Sequence, residues 1–362
     1  MRKNYLYLFL LGVILIFGGA SCDMSLAGEQ GLQTSGPAGM FVSLDKGENW
    51  RPISSMPTIE GIKSLTGVSV YRLFTDPQDS SALYWGSRGD GLFYSFDDGK
   101  TWNRSVDPLS KGFIYSVAVH PKDRCTIYAT NGRQVFKTED CMRSWSEVFE
   151  EVRADVSVRT IAIDPFAEHY VYITEDNGDM LKSEDFGAHW SVVHRFGVVM
   201  RMIRFDTNEQ GLIYAASKEH GVYRSKDGGA TWEDLKKKLD PYTGALKFRN
   251  MLVHPNIAEK IYWVSEYGIM ESRNAGEDWD AYKLVTPPGS TKIYGFTINP
   301  LNDKEIYYTG TVGSKSTFYR SVDGGKTWET RKLPSKQIPT ALYVHPEHGD
   351  WVYVGYTIPP QS

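Results

Sequence analysis

The chain has 362 residues, a formal net charge of −4 with both signs spread along it, and three cysteines. That length allows one large or two ordinary domains, and the charge pattern argues against a nucleic-acid partner or an acidic interaction tail. Aromatic residues make up 13% of the chain, a content suited to a β-rich core.

In chain order, residues 1–22 form a targeting segment: Arg2 and Lys3 are a basic start, and Tyr5 to Phe17 is an apolar run of 13. That run is too short to span a bilayer, so a signal peptide is predicted rather than a transmembrane helix. The small residues Gly18-Gly19-Ala20-Ser21 before Cys22 resemble the lipobox of bacterial lipoproteins, which implies cleavage and lipid attachment at Cys22. Gly19 stands where that pattern prefers Leu or Val, which keeps plain secretion as the alternative. The expected location is extracytoplasmic, on a cell membrane facing the periplasm or the cell surface. Residues 23–37, rich in Gly and Ser, are expected to be a flexible tether. A folded domain over 38–358 and a tail over 359–362 complete the division.

Within the domain one octapeptide recurs. Ser321-Val322-Asp323-Gly324-Gly325-Lys326-Thr327-Trp328 has counterparts ending at Trp50, Trp102, Trp145, Trp190, Trp232 and Trp279. Its third position holds Asp45, Asp97, Asp140, Asp185, Asp227, Asn274 and Asp323, with a mean step of about 46 residues. Such a box is a tight turn: Gly supplies a positive φ, short Ser and Asp side chains bond backbone amides, and Trp buries its ring against a neighbouring unit. Its predicted role is structural.

Between the boxes an alternating strand ends in Asp, His or Asn, usually before Pro, as in Tyr71 to Pro77 and Arg249 to Pro255. An apolar residue plus Tyr follows in each unit, from Leu83-Tyr84 to Val352-Tyr353. A third strand leads into the box and a fourth follows its Trp. Four-stranded units of this period predict an all-β, seven-bladed β-propeller. The chain starts with an outer half-blade (40–50) and ends with an inner half-blade (340–356), and pairing the two would close the ring. The boxes then lie on the bottom rim, and function is expected on the top face.

Cys125 and Cys141 fall at the bottom of adjacent strands in one blade, and the box holding Cys141 is the one without Gly. A structural disulfide is predicted there, with two buried thiols as the alternative. His120, His254 and His345 share their position with Asp76, Asp164, Asp206 and Asn299, so that slot needs a hydrogen-bonding group and not a metal. No metal site, catalytic residue or cofactor is predicted. Lys236-Lys237-Lys238 is expected to be a solvated loop.

Six residues before the repeated Pro position, the seven inner strands carry Tyr71, Tyr115, Arg159, Arg201, Arg249, Tyr294 and Thr340. Three consecutive blades thus bring arginine to the channel mouth, flanked by tyrosine. Guanidinium groups recognise carboxylates bidentately, so Arg159, Arg201 and Arg249 with Tyr71, Tyr115 and Tyr294 are the predicted ligand-binding set. The competing expectation pairs each arginine with a local acid such as Glu175, Asp176, Asp179, Glu219 or Glu266.

The octapeptide resembles the Asp-box, or bacterial neuraminidase repeat, of sialidases, xyloglucanases, the sortilin ectodomain and the photosystem II assembly propeller. Sialidases have six blades and a Phe/Tyr-Arg-Ile-Pro motif absent here, and xyloglucanases use two propellers. Size, blade count and arginine-bearing inner strands resemble the assembly-factor type, which implies a monomeric scaffold that captures a peptide. The resulting expectation is a membrane-tethered binding scaffold for an acidic peptide, a protein C-terminus or an anionic glycan, with no nucleic-acid partner. The alternative is a glycoside hydrolase, for which Asp90, Asp176, Asp179 and Glu266 are available acids.

Overall fold

The computed structural model describes residues 34–359. The predicted signal segment with Cys22, most of the predicted tether and residues 360–362 lie outside the described residues. Seven four-stranded antiparallel sheets follow one another as blades 1 to 7. Blade 1 spans residues 70–104, blade 2 116–150, blade 3 158–195, blade 4 200–234, blade 5 248–281 and blade 6 292–331. Blade 7 joins the two ends of the domain. Its innermost strand Ile338–Val344 pairs with Val352–Thr357, which pairs with Gly39–Ser43, which in turn pairs with Arg51–Pro52. The register Gly39↔Tyr356 to Ser43↔Val352 closes the ring as the phase of the repeats requires. No helix among the described residues is long and apolar enough to cross a membrane.

The repeated turn is built by hydrogen bonds that are the same from blade to blade. Ser43 Oγ accepts the Gly47 amide at 2.7 Å, and Asp45 Oδ1 accepts the Asn49 amide at 2.8 Å. Ser225 and Asp227 do the same for Gly229 and Thr231, each at 2.8 Å. Two successive residues in each turn take positive φ. The first is Lys46, Asp98, Cys141, Phe186, Gly228, Ala275 or Gly324, and the second is Gly except at Met142. At some second sites a neighbouring blade also presses on the glycine: a Cβ on Gly47 would meet Phe318 at 2.3 Å, whereas one on Gly229 would have its nearest neighbour at 3.6 Å. The box without Gly is the one in which Cys141 and Cys125 form a disulfide, as predicted.

Blades are joined through the repeated aromatics. The Trp102 indole N–H donates to Ile53 O at 2.6 Å and that of Trp190 to Val148 O at 2.9 Å, each reaching toward the preceding blade. In the other direction, Tyr128 donates to Phe186 O (2.7 Å) and Tyr172 to Gly228 O (2.9 Å), in the turn of the next blade. Buried clusters sit between blades. One gathers Met202, Tyr214, Trp263 and Trp279 from blades 4 and 5.

The slot shared by Asp, His and Asn behaves uniformly. Gln78 N donates to Asp76 Oδ1 (2.7 Å), Lys122 N to His120 Nδ1 (3.2 Å), Asn256 N to His254 Nδ1 (3.1 Å) and Leu301 N to Asn299 Oδ1 (3.0 Å). Each ring nitrogen accepts, so these histidines are neutral. Residues 236–239 form one helical turn, with Lys237 and Lys238 exposed. Residues 34–37, assigned to the tether by sequence, lie against the loop at 335–337: Ser335 donates to Pro37 O at 2.6 Å and Gln337 Nε2 to Gly36 O at 3.1 Å. A hairpin that sequence patterning missed, Ser55–Thr58 with Gly61–Ser64, has Ile59 fully exposed, and Ser55 O accepts the Trp102 amide of blade 1 at 2.9 Å.

Candidate functional site

The seven mouth positions share a backbone feature. The inner-strand ladder slips there in six blades: between Val70 and Arg72, Val158 and Thr160, Met200 and Met202, Phe248 and Asn250, Ile293 and Phe296, and Pro339 and Ala341. The residue inside each bulge is Tyr71, Arg159, Arg201, Arg249, Tyr294 (with Gly295) or Thr340. Tyr115 immediately precedes its strand, Ser116–Val119. A bulge leaves one residue out of the ladder and re-aims its side chain, so the mouth is lined by residues freed from pairing.

Five of these six bulges surround a cavity of about 800 Å³ lined by blades 1, 4, 5, 6 and 7. Four of the six predicted ligand residues, Tyr71, Arg201, Arg249 and Tyr294, line it. Arg159 and Tyr115, on blades 3 and 2, do not. Arg72, Arg88, Arg204 and Lys218 also line the cavity and were not singled out by sequence. Arg201 and Arg204 are three residues apart, a spacing that strict strand alternation does not put on one face; the bulge resets the phase. The lining thus carries five arginines and one lysine, and neither Asp nor Glu.

The cations differ in their partners. Arg159 donates through Nε to Asp176 Oδ2 at 2.9 Å, with a second bond from Nη2, and its guanidinium lies 4.7 Å from the Tyr115 ring centroid. Burial works against the Arg159 charge, but the Asp176 carboxylate outweighs it and raises the pKa. Arg249 has only a long contact to Glu266, at 3.8 Å. Arg201 has no ion pair or hydrogen bond among the described residues; burial and then the Arg159 charge lower its pKa. Arg204 donates once, from Nη1 to Ile203 O at 3.1 Å, and burial with the Arg72 charge pushes it down to about 10. Beside the cavity, Arg72 and Arg88 lie over Tyr71 at 5.2 and 5.7 Å, and Phe113 stacks on Tyr115 at 4.1 Å. This is an anion-receiving mouth with an aromatic rim.

Carboxylates gather elsewhere. Arg153 bonds Glu151 (2.7 Å), Glu175 (2.6 Å) and Asp179 (3.2 Å). Hydrogen bonds from Arg153 hold Glu151 well below the usual carboxylate range, while burial and Glu151 raise Glu175. Two carboxyls pushed apart in this way would suit acid–base chemistry, but the Glu175 side chain is fully buried, so no substrate reaches it. Of the acids available to a hydrolase, Asp176 is held by Arg159, Asp179 by Arg153, and Glu266 by Lys247 at 3.0 Å. Asp90 is exposed, and none of the four lines the cavity. Among the described residues no group of His, Cys, Asp and Glu is arranged to hold a metal ion.

Residues 97–348 match the family described as DUF6242 beta propeller domain. The chain is similar to the xyloglucanase Xgh74A of Acetivibrio thermocellus, 24% identical over 297 residues covering 72% of this chain and 32% of that protein. It spans about a third of the length of the curated relatives it matches, or less. Among solved structures it is similar to the GH74 xyloglucanase from Xanthomonas campestris, with TM-score 0.63, 16% identity, and 86% of this chain on 52% of that one. It is also similar to YCF48 bound to D1 peptide, with TM-score 0.59, 17% identity, and 84% of this chain on 96% of that one. At these identities the structural likeness is one of fold.

Proposed function

We propose that this chain, which belongs to the family of DUF6242 beta propeller domains, is an extracytoplasmic, membrane-tethered scaffold that captures an acidic peptide or protein C-terminus in its top-face cavity. One observation carries the reading: six cationic side chains line that cavity and no carboxylate does. Confined like charges favour an anionic occupant, and arginine forks suit carboxylates. The likeness to YCF48, a fold seen with a peptide bound, supports this choice, and there the matched chain is nearly the whole protein. The Asp-box kinship and the lipid anchor at Cys22 are part of the same proposal.

The sequence similarity to a xyloglucanase favours a second reading, glycoside hydrolysis. Against it stands the pairing of three of the four candidate acids with arginines and lysine, and the absence of all four from the cavity lining, since a glycosidase needs two carboxyls facing an open site.

The test is fluorescence anisotropy of labelled acidic peptides with the purified protein at two salt concentrations, beside Arg201→Ala/Arg249→Ala and a xyloglucan-release assay. Salt-sensitive binding lost in the double variant, with no sugar released, is the expected result. Released oligosaccharide would replace the scaffold reading with the hydrolase, and binding unaffected by the double variant would remove the cavity from the site.

A further inference from the structure

We propose that the cavity contains a site for one tetrahedral oxyanion, a phosphate or sulfate group, gripped between Arg72 of blade 1 and Arg201 and Arg204 of blade 4. The inference deepens the reading of this cavity as the ligand site and rests on it.

Blades 1 and 4 stand three places apart in a ring of seven, so these arginines enter the channel from opposing walls. Arg204 sits three residues beyond Arg201 toward the bottom, about 10 Å deeper at the rise of a β-strand. Each guanidinium carries five N–H donors. Among the described residues Arg204 uses one of them, on Ile203 O, and Arg72 and Arg201 make no hydrogen bond or ion pair. Apolar side chains, including Met202, Phe205 and Leu342, share the wall with polar ones, and they strengthen both the repulsion among the cations and their attraction for an anion.

The geometry also selects the shape of the anion. A carboxylate presents two oxygens whose roughly four acceptor directions lie in one plane, and a single arginine fork takes about two of them. Forks arriving from two opposite walls need acceptors on both sides, and a tetrahedral anion offers oxygens in all directions together with up to two negative charges. The group could be a free ion or an ester borne by a larger ligand, and the chemistry of the seat is the same.

The test is titration calorimetry and thermal melting of the purified protein with inorganic phosphate, sulfate and acetate at constant ionic strength. A phosphopeptide and its unphosphorylated twin form a second arm. The variants are Arg204→Met, Arg72→Met and, as a mouth control, Arg88→Met. Expected is one site for phosphate or sulfate, acetate at least about tenfold weaker, and a loss of at least about tenfold in Arg204→Met and Arg72→Met, as for charge-assisted hydrogen bonds. Removing an uncompensated charge should leave Arg204→Met no less stable than wild type without anion, while phosphate raises the melting temperature of wild type and of Arg88→Met but not of Arg204→Met or Arg72→Met. The proposal holds if inorganic phosphate alone binds in this way (a free ion) or if only the phosphopeptide does (a ligand-borne ester). It is overturned if neither binds, if acetate binds as well as phosphate, or if binding survives both variants, which would mark an adventitious ion only. Acidic-peptide binding lost in Arg201→Ala/Arg249→Ala without any phosphate site would sink this inference and leave the scaffold standing.

Discussion

Arg159 and Asp176 form a side-on ion pair in which the Nε and Nη2 groups both donate to Oδ2, while Oδ1 accepts the Ser157 amide at 2.8 Å. The pair ties the blade 3 bulge to the loop between the second and third strands of that blade and takes one of three mouth arginines out of service. Arg159→Ala should therefore lower stability by about 1.5–3 kcal/mol, the range for hydrogen bonds to charged groups, and leave ligand affinity within about threefold. Arg201→Ala should do the reverse. Denaturant melts and binding titrations of both variants check the division; equal loss of affinity would put Arg159 back in the site.

The Cys125–Cys141 bond closes a loop with a sequence separation of 16 residues. Replacing both cysteines by serine should cost about 3 kcal/mol on the loop-entropy estimate. The loss should be concentrated in blade 2, where Cys141 and Met142 hold positive φ without glycine. Amide exchange resolved by blade, with and without reductant, measures it.

Gly324 and Gly325 separate two effects in one turn. Both have positive φ, +75° and +79°, but a Cβ on Gly324 meets nothing within 4 Å, whereas one on Gly325 would overlap Tyr282 at 2.2 Å. Gly324→Ala should cost about 1–2 kcal/mol, the conformational penalty alone. Gly325→Ala should cost clearly more, because the blade 5 ring must also move. Comparable midpoints for the two variants in urea would refute this account of the turn.

His120, His254 and His345 accept backbone amides through Nδ1, and burial lowers the pKa of all three. A depressed folded-state pKa contributes stability that is fully present above the unfolded value, about 6.5, and is lost as pH falls through the folded value. Stability should therefore decline below about pH 6.5. The triple variant His120→Asn/His254→Asn/His345→Asn, which copies the slot as Asn299 fills it, should flatten that decline. An unchanged pH profile would exclude the histidines as its cause.

Repeat number, blade closure and the bonding slot were legible because each depends on residues close in sequence: two left-handed positions, a short acceptor and a Trp at fixed spacing. Even the seven mouth positions could be found by alignment within the chain, since the bulge recurs in register with the strand. The state of each arginine was not legible. Asp176 lies 17 residues from Arg159, and only the folding of the blade, which sets the loop after its second strand beside the inner strand, brings them together.

Sequence by itself determined a closed seven-bladed ring with arginine and tyrosine at its mouth, because a period of short-range turn and packing signals leaves one way to bury the strands. The tertiary structure alone decided which cations share a cavity. Arg72, Arg88, Arg201, Arg204, Lys218 and Arg249 come from three blades, and Arg204 joins Arg201 only because a bulge breaks the alternation on which sequence reasoning relies. Charge that converges across a ring axis leaves no mark in local sequence, and the absence of Asp and Glu from the lining is a property of the assembled channel.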